Sequence, residues 1–238
     1  MTDWYKFWQK YRVIEINSED DLLFQVGRTI NKKPESIKEL NLNIQDIKEK
    51  LSLNEKDILL DLCCGNGIVT FALSKYVDKV IGVDFSNPLI INAKKYNSNK
   101  NIQYIEADII DTKIYEFDYN YNKVLISASL QYLTVNDFDK LLYNLTANLR
   151  NKLENIFITD IMDVNRKWNF FRTFKQKLDY FIKIKVLGKS LGLGKWWSRK
   201  EIITLADKYN FSYKFFSQNK KINTSHYRFN VLLNNKLR

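Results

Sequence analysis

The sequence is poor in the residues that most often impose special structure: it has two cysteines, two prolines and seven glycines in 238 positions. The cysteines are adjacent, Cys63 and Cys64, so a mutual disulfide is geometrically strained and cysteine alone cannot build a zinc cluster. Reduced thiols are the simplest reading, and no metal set is expected. So little proline and glycine leaves no flexible linker, and neither an internal repeat nor a low-complexity block is apparent. The sequence also lacks the run of about 18 apolar residues that a membrane span needs. The opening, MTDWYKFWQKYR, places charge where an export signal needs an apolar stretch. The expectation is a soluble protein of the cytoplasm. Histidine occurs once, at His226, so only one imidazole is available as a general base.

Hydrophobic residues make up 45% of the chain, enough for one sizeable core. The net charge of +11 is local: from Arg166 to Lys200 there are eleven basic residues against one acid, Asp179. Trp168, Phe170, Phe171, Phe174, Tyr180, Phe181, Trp196 and Trp197 are interleaved with them. Such a segment points to an anionic partner more than to an ordinary solvated face.

The apolar pattern divides the chain into four stretches of a single domain. Residues 1–56 form an N-terminal helical cap, in which Ile37, Leu40, Ile44, Ile47 and Leu51 recur at helical spacing. Residues 57–161 alternate short apolar strands with helices (ILLDL, KVIGVD, IQYIEAD, KVLISAS and NIFITDI), which predicts an α/β, doubly wound, mostly parallel sheet. Residues 162–197 break the rhythm as a basic helical insertion, with Phe171, Phe174, Leu178, Phe181 and Ile182 on one face and a GKSLGLGK stretch after it. Residues 198–238 begin with a capping box, Ser198 and Glu201, and end in two strand-like runs, FSYKFFS and HYRFNVLL, expected to form an edge hairpin.

Ligands of open α/β sheets sit beyond the carboxyl ends of the strands. There the first core strand reads Asp61-Leu62-Cys63-Cys64-Gly65-Asn66-Gly67. A dinucleotide fingerprint would need a third glycine at position 70, which is Thr70, so a nicotinamide or flavin is disfavoured. Asp84 ends the second strand, where a carboxylate can accept hydrogen bonds from both hydroxyls of an unphosphorylated ribose.

In that order ILLDLCCGNG, VIGVDFS and IEADI resemble the first three motifs of class I S-adenosylmethionine-dependent methyltransferases, from about Asp57 to Ile161. The resemblance implies a seven-stranded Rossmann-like sheet, S-adenosylmethionine as cofactor and S-adenosylhomocysteine as product. It places Gly65 and Gly67 under the amino-acid part of the cofactor, Asp84 at the ribose, and Asp108 at the adenine amino group. Phe85 and Ile109 become the walls of the adenine slot, and Asp61 orients the turn or receives the ammonium. Ser127 or Ala128 closes the site. The Gln25–Thr29 segment resembles one preceding the first strand in some bacterial members, which makes Arg28 a candidate for the cofactor carboxylate. Trp4, Tyr5, Trp8 and Tyr11 either roof the acceptor pocket or pack as core.

Methyl transfer needs little beyond alignment, because the sulfonium is already an activated leaving group. His226 is the candidate base and Tyr132, after the fourth core strand, the candidate acceptor contact. The Ser129-Leu130-Gln131-Tyr132 segment lacks the N/D-P-P-Y signature of amino-group methylation on DNA or protein glutamine. The basic insertion favours a small anionic acceptor, such as a sugar nucleotide or a phosphorylated precursor. The general resemblance is to methyltransferases of bacterial surface polysaccharides, including those proposed for phosphoramidate capsule groups. RNA methylation, a membrane-surface lipid or quinone acceptor, and a non-catalytic cofactor-binding role stand as alternatives. Oligomeric state is not legible.

Overall fold

The computed structural model describes residues 3–111, 115, 120–149, 152–171, 173–183 and 192–236. Three helices open the chain: α1 (Trp4–Lys10), α2 (Glu19–Gln25) and α3 (Ile37–Leu51), with a short hairpin of β1 (Thr29–Ile30) and β2 (Lys33–Pro34) before α3. Each helix starts where a side chain can cap it: Asp3, Ser18 and Ser36 accept hydrogen bonds from the backbone N–H groups of Lys6, Asp21 and Glu39.

The alternating region then runs β3 (Ile58–Leu62), α4 (Ile68–Ser74), β4 (Lys79–Asp84), α5 (Asn87–Tyr96), β5 (Ile102–Glu106), β6 (Lys123–Ser127), α6 (Val135–Leu149) and β7 (Asn155–Met162). Two further helices, α7 (Lys167–Phe170) and α8 (Phe174–Phe181), precede α9 (Arg199–Lys208), β8 (Phe211–Ser217) and β9 (Arg228–Asn235). The sheet has seven strands, as the resemblance implies, in the order β5-β4-β3-β6-β7-β9-β8. Its first five strands pair in parallel, and β9 is antiparallel to both β7 and β8. The chain moves outward from β3 through β4 to β5 and then restarts at β6 on the other side of β3. That reversal opens a crevice at the carboxyl ends of β3 and β6.

Both faces of the sheet are covered, which explains the near-continuous apolar runs. Leu59, Val80, Leu125 and Phe157 pack with Leu40, Ile44 and Ile47 of α3 and Val69 and Leu73 of α4. Their strand neighbours Leu60, Ile81, Val124, Ile126 and Ile156 face the opposite way, toward Phe138 and Leu142 of α6, Ile202 of α9 and Trp197. The capping box at α9 is present in both directions, Ser198 Oγ accepting from Glu201 N at 3.2 Å and Glu201 Oε2 accepting from Ser198 N at 2.8 Å. Near its carboxyl end β7 carries a bulge, a register shift between Ile158 and Ile161, with Asp160 in the left-handed region at φ 60°.

Two expectations need correction, and one element has no forerunner in the sequence. The stripe expected on the insertion helix loses one member: Phe171 lies outside α8 and is buried, while Phe174, Leu178, Phe181 and Ile182 share one exposed face. His226 precedes β9 instead of lying within a strand. The β1–β2 hairpin has no counterpart in the sequence reading, because its residues alternate too briefly to register. Arg172, Lys185, Lys189 and the first half of the GKSLGLGK stretch, residues 188–191, lie outside the described residues. Among the described residues no helix is long and apolar enough to cross a membrane.

Candidate active site

The crevice is shaped by a backbone that few side chains permit. Cys63, Gly65 and Gly67 all take left-handed conformations, at φ 61°, 59° and 77°, turning the chain sharply from β3 into α4. Gly67 has a second reason to be glycine: a Cβ there would lie 2.7 Å from Tyr104 Cζ, so the missing side chain makes room for a buried phenol. The Tyr104 hydroxyl donates to Asn97 O at 2.7 Å. Gly65, by contrast, lines the cavity described below.

Asp84, at the tip of β4, is buried with both carboxylate oxygens in use: Gly65 N donates to Oδ2 at 2.9 Å and Ser86 N donates to Oδ1 at 2.9 Å. Each oxygen keeps a second lone-pair site, so the group can accept from two adjacent hydroxyls without releasing the turn. Burial raises its pKa to about 6, against the lowering effect of the two backbone N–H groups. Asp61 is buried one strand over, and Thr70 Oγ1 donates to its Oδ2 at 2.6 Å. Its pKa is pushed up to about 7, by desolvation first and then by the charge of Asp84, while Thr70 and Arg28 act the other way. Thr70, which occupies the place of a third glycine, therefore has a positive role as the partner of Asp61.

Arg28 reaches across from the cap. Its Nη1 pairs with Glu35 Oε1 at 2.9 Å and its Nη2 donates to Ser127 Oγ at 3.1 Å, where Thr159 Oγ1 also donates at 3.1 Å. Burial raises the pKa of Glu35, with Arg28 opposing.

These groups surround a cavity of about 270 Å³. Asp61, Gly65, Asp84, Phe85, Asp108, Ile109, Ser127, Ala128, Arg28 and Tyr132 all line it; Gly67 and His226 do not. The roof is α1. Trp4, Tyr5 and Trp8 line the cavity, Tyr5 stacks on Phe85 at 5.2 Å and 24°, and Trp4 and Trp8 approach the Tyr132 ring at 4.7 and 5.4 Å. Two hydrogen bonds hold the roof to the end of β4: Gln9 Nε2 to Phe85 O at 3.1 Å and Ser86 Oγ to Trp8 O at 3.0 Å.

The lining carries four carboxylates, Asp61, Asp84, Asp108 and Asp137, against one cation, Arg28. Such a field suits a ligand with positive groups. Phe85, Leu89, Ile109 and Ile110 supply an apolar slot beside Asp108, whose Oδ1 accepts from Ile110 N at 2.9 Å. Ribose acceptors, an apolar slot with an acid at its edge, and net negative charge together fit an adenosyl sulfonium compound. The thiols are not reactive: burial pushes the pKa of both Cys63 and Cys64 upward.

Two members of the site escape the sequence reading. Asp137 accepts from Thr134 N at 2.9 Å and Thr134 Oγ1 at 2.7 Å; the T-x-x-D spacing is a capping signal that could have found it. Glu35 carried no local signal, since only the fold brings it to Arg28. His226 offers its backbone carbonyl to Asn169 Nδ2 at 2.8 Å, with its ring against Tyr227 at 5.0 Å.

The sheet order and this crevice define a Rossmann-like fold of the methyltransferase kind. Residues 59–152 match a family described as methyltransferase domain. The chain is 30% identical over 119 residues to the 23S rRNA (uracil(1939)-C(5))-methyltransferase RlmD of Francisella tularensis subsp. novicida, covering 48% of this chain and 24% of that protein. The chain therefore spans about a quarter of the curated relatives it matches first. Two solved structures share the fold: mycolic acid cyclopropane synthase CmaA1 complexed with SAH and CTAB, at TM-score 0.65, 13% identity and 98% of each chain; and magnesium protoporphyrin IX methyltransferase from Synechocystis PCC 6803 with bound SAH, at TM-score 0.62, 12% identity, 97% of this chain and 94% of that one.

Proposed function

We propose that the cavity binds S-adenosylmethionine and that the protein transfers its methyl group to a small anionic acceptor approaching from the Tyr132 side. The observation that carries the cofactor half is Asp84: a buried carboxylate whose two oxygens are each fixed by one backbone N–H and each open to one more donor. Asp84 holds the ribose hydroxyls, Phe85 and Ile109 flank the adenine, and Asp108 accepts from its amino group. Asp61 and Arg28 take the ammonium and carboxylate ends, over the turn at Gly65, with Ser127 closing that side. Once bound, the cofactor supplies a methyl group on a leaving group that needs no further activation. The protein's remaining task is alignment, and α1 assists by excluding water from above.

The acceptor half rests on Arg228. It lies at the start of β9, its Nη1 donating to Asp160 O at 3.1 Å, and the buried Nε has no hydrogen-bond partner among the described residues. Its charge acts on the Tyr132 phenol, whose pKa is nevertheless raised, first by desolvation. Arg228 stands behind the cavity wall and does not line it, but a buried positive charge felt at the cavity-lining phenol favours an acceptor with a phosphate or carboxylate, such as a sugar nucleotide or a phosphorylated precursor. Tyr132 orients that acceptor. His226, which does not line the cavity, is left out of the mechanism, since an anionic oxygen is a nucleophile without a base.

RNA is the second reading, because RlmD acts on 23S rRNA by name. Two features count against it. The α1 roof narrows the opening a nucleotide chain would have to cross, and methylation at a pyrimidine carbon needs a nucleophile that first adds to the ring. Neither cysteine is poised for that, since desolvation raises both thiol pKa values.

Calorimetry with S-adenosylhomocysteine tests the cofactor half, and the absence of measurable binding would end the proposal. Transfer of labelled methyl groups to a panel of sugar nucleotides and phosphorylated sugars, beside transcribed rRNA, tests the acceptor half. Label entering RNA alone would replace the small anion with a polynucleotide.

A further inference from the structure

The exposed apolar surface of the insertion is concentrated on α8. Phe174, Leu178, Phe181 and Ile182 are 81, 46, 54 and 40% exposed, and α8 has no buried residue. Positions separated by four, seven and eight residues fall on one stripe of a helix. At about 100° per residue, Lys175 and Lys177 lie on opposite flanks of that stripe. The helix is firmly seated by its other side. Thr173 and Gln176 form a capping box, and Tyr180, on the face away from the stripe, packs on Phe171 at 4.6 Å and Trp168 at 5.7 Å while its hydroxyl meets Lys167 Nζ at 3.3 Å. The stripe therefore points outward from a fixed mount. Trp168, itself 47% exposed, stands beside it.

We propose that α8 is an interfacial helix that lies on an anionic lipid surface, its stripe among the acyl chains and Lys175 and Lys177 extended to the headgroups. An apolar stripe flanked by lysines with an aromatic alongside is the arrangement such a surface selects. Charge decides between this occupant and others. From Arg166 to Lys200 there are eleven basic residues and one acid, so a second copy of the chain would bring like charges together, whereas anionic headgroups neutralise them. Nucleic acid would also answer the charge, and Phe174, Phe181 and Trp168 are rings a base can stack on, but it would leave the aliphatic Leu178 and Ile182 in water, whereas acyl chains bury the whole stripe. The mount also ties the helix to the acceptor side of the crevice: Phe170 packs on Tyr227 at 5.1 Å, next to Arg228. Docking would set that side against the headgroup layer. It does not depend on the methyl-transfer reading.

Sedimentation of the full chain with vesicles of phosphatidylserine and phosphatidylcholine, beside vesicles of phosphatidylcholine alone, tests the proposal. The protein is expected to sediment with the anionic vesicles, only weakly with the neutral ones, and less as salt rises. The variant Phe174→Glu/Leu178→Glu/Phe181→Glu and the variant Lys175→Glu/Lys177→Glu should each lower partitioning by about tenfold or more. Both should keep the far-ultraviolet circular dichroism and the urea midpoint of the unchanged protein, which separates loss of docking from loss of fold. Absence of binding to anionic vesicles would overturn the proposal, as would equal partitioning by the variants. So would a concentration-dependent dimer, or retention of poly(U), that the triple variant abolishes while vesicle binding is unchanged.

Discussion

The two sides of the crevice are held by different kinds of contact. At the tips of β3, β4 and β5 the backbone does most of the holding: Gly65 N and Ser86 N fix Asp84, Ile110 N fixes Asp108, and the left-handed turn leaves no freedom for the chain between them. At the tip of β7 and the start of β9 side chains from distant segments hold one another. Gln218 Nε2 donates to Asp160 Oδ1 at 2.7 Å, Arg228 Nη1 stands 3.6 Å from the same oxygen, and Asn230 Oδ1 accepts from Asp160 N at 3.0 Å. A backbone cradle suits one unvarying ligand, while a side-chain network can be rewritten by substitution without disturbing the sheet. On the proposed reading, the first side serves the cofactor and the second the acceptor.

The sharpest way to break that comparison is Asp84→Ala. It removes the acceptor of two backbone N–H groups as well as the proposed ribose contacts, and bonds to a charged group are worth about 1.5 to 3 kcal/mol each. Affinity for S-adenosylhomocysteine by calorimetry should fall by more than about a hundredfold. Arg228→Ala should leave that affinity within about twofold and lower kcat/KM for the acceptor instead. An equal loss of cofactor binding in both variants would erase the division.

Gly67→Ala comes next. A Cβ against the Tyr104 ring at a positive φ should cost roughly 1 to 3 kcal/mol of stability, read from the urea midpoint. Tyr104→Leu in the same chain should recover part of it by opening the space.

The buried acids give a pH test with two opposite signs. Asp84 and Asp61 have pKa values raised to about 6 and about 7 from 3.8, so the folded state binds more protons than the unfolded one across that window. Their contribution to stability is therefore full below about pH 4 and is lost as pH rises through 6 and 7. Affinity for S-adenosylmethionine should run the other way, rising by up to about tenfold per pH unit as each carboxylate ionises to meet hydroxyl and ammonium donors. Urea midpoints of the ligand-free protein and calorimetry over the same pH series should diverge; parallel curves would remove the acids from the site.

The smallest effect belongs to the roof. Tyr5→Ala removes the stack on Phe85 and should weaken S-adenosylhomocysteine binding by about 0.5 to 1.5 kcal/mol, with kcat for the acceptor nearly unchanged.

How far the sequence could be read follows the same division. β3, β4, β6 and β7 were legible because burial on both faces writes them as apolar runs, and Gly65, Asp84 and Asp108 were found because strand, turn and acid are adjacent in the chain. Arg28 depends on an ion pair with Glu35 that only the folded cap assembles. The stripe of α8 looked like any core-facing stripe, since spacing records that a face is apolar but not what covers it. His226 drew notice as the single histidine, yet the fold sets it in the turn before β9. Gly67, expected under the cofactor, lies outside the cavity lining, and the pressure on it comes from Tyr104, thirty-seven residues away.

The roof has a consequence for turnover. A seven-residue helix with no buried side chain, joined to the end of β4 by two hydrogen bonds and one ring stack, can lift without disturbing any strand. Exchanging a spent cofactor for a fresh one then asks nothing of the sheet. On the proposed reading, the pace of that exchange follows how tightly Gln9 and Tyr5 and the contacts of Trp4 and Trp8 with Tyr132 hold, which makes α1 a timer as well as a cover.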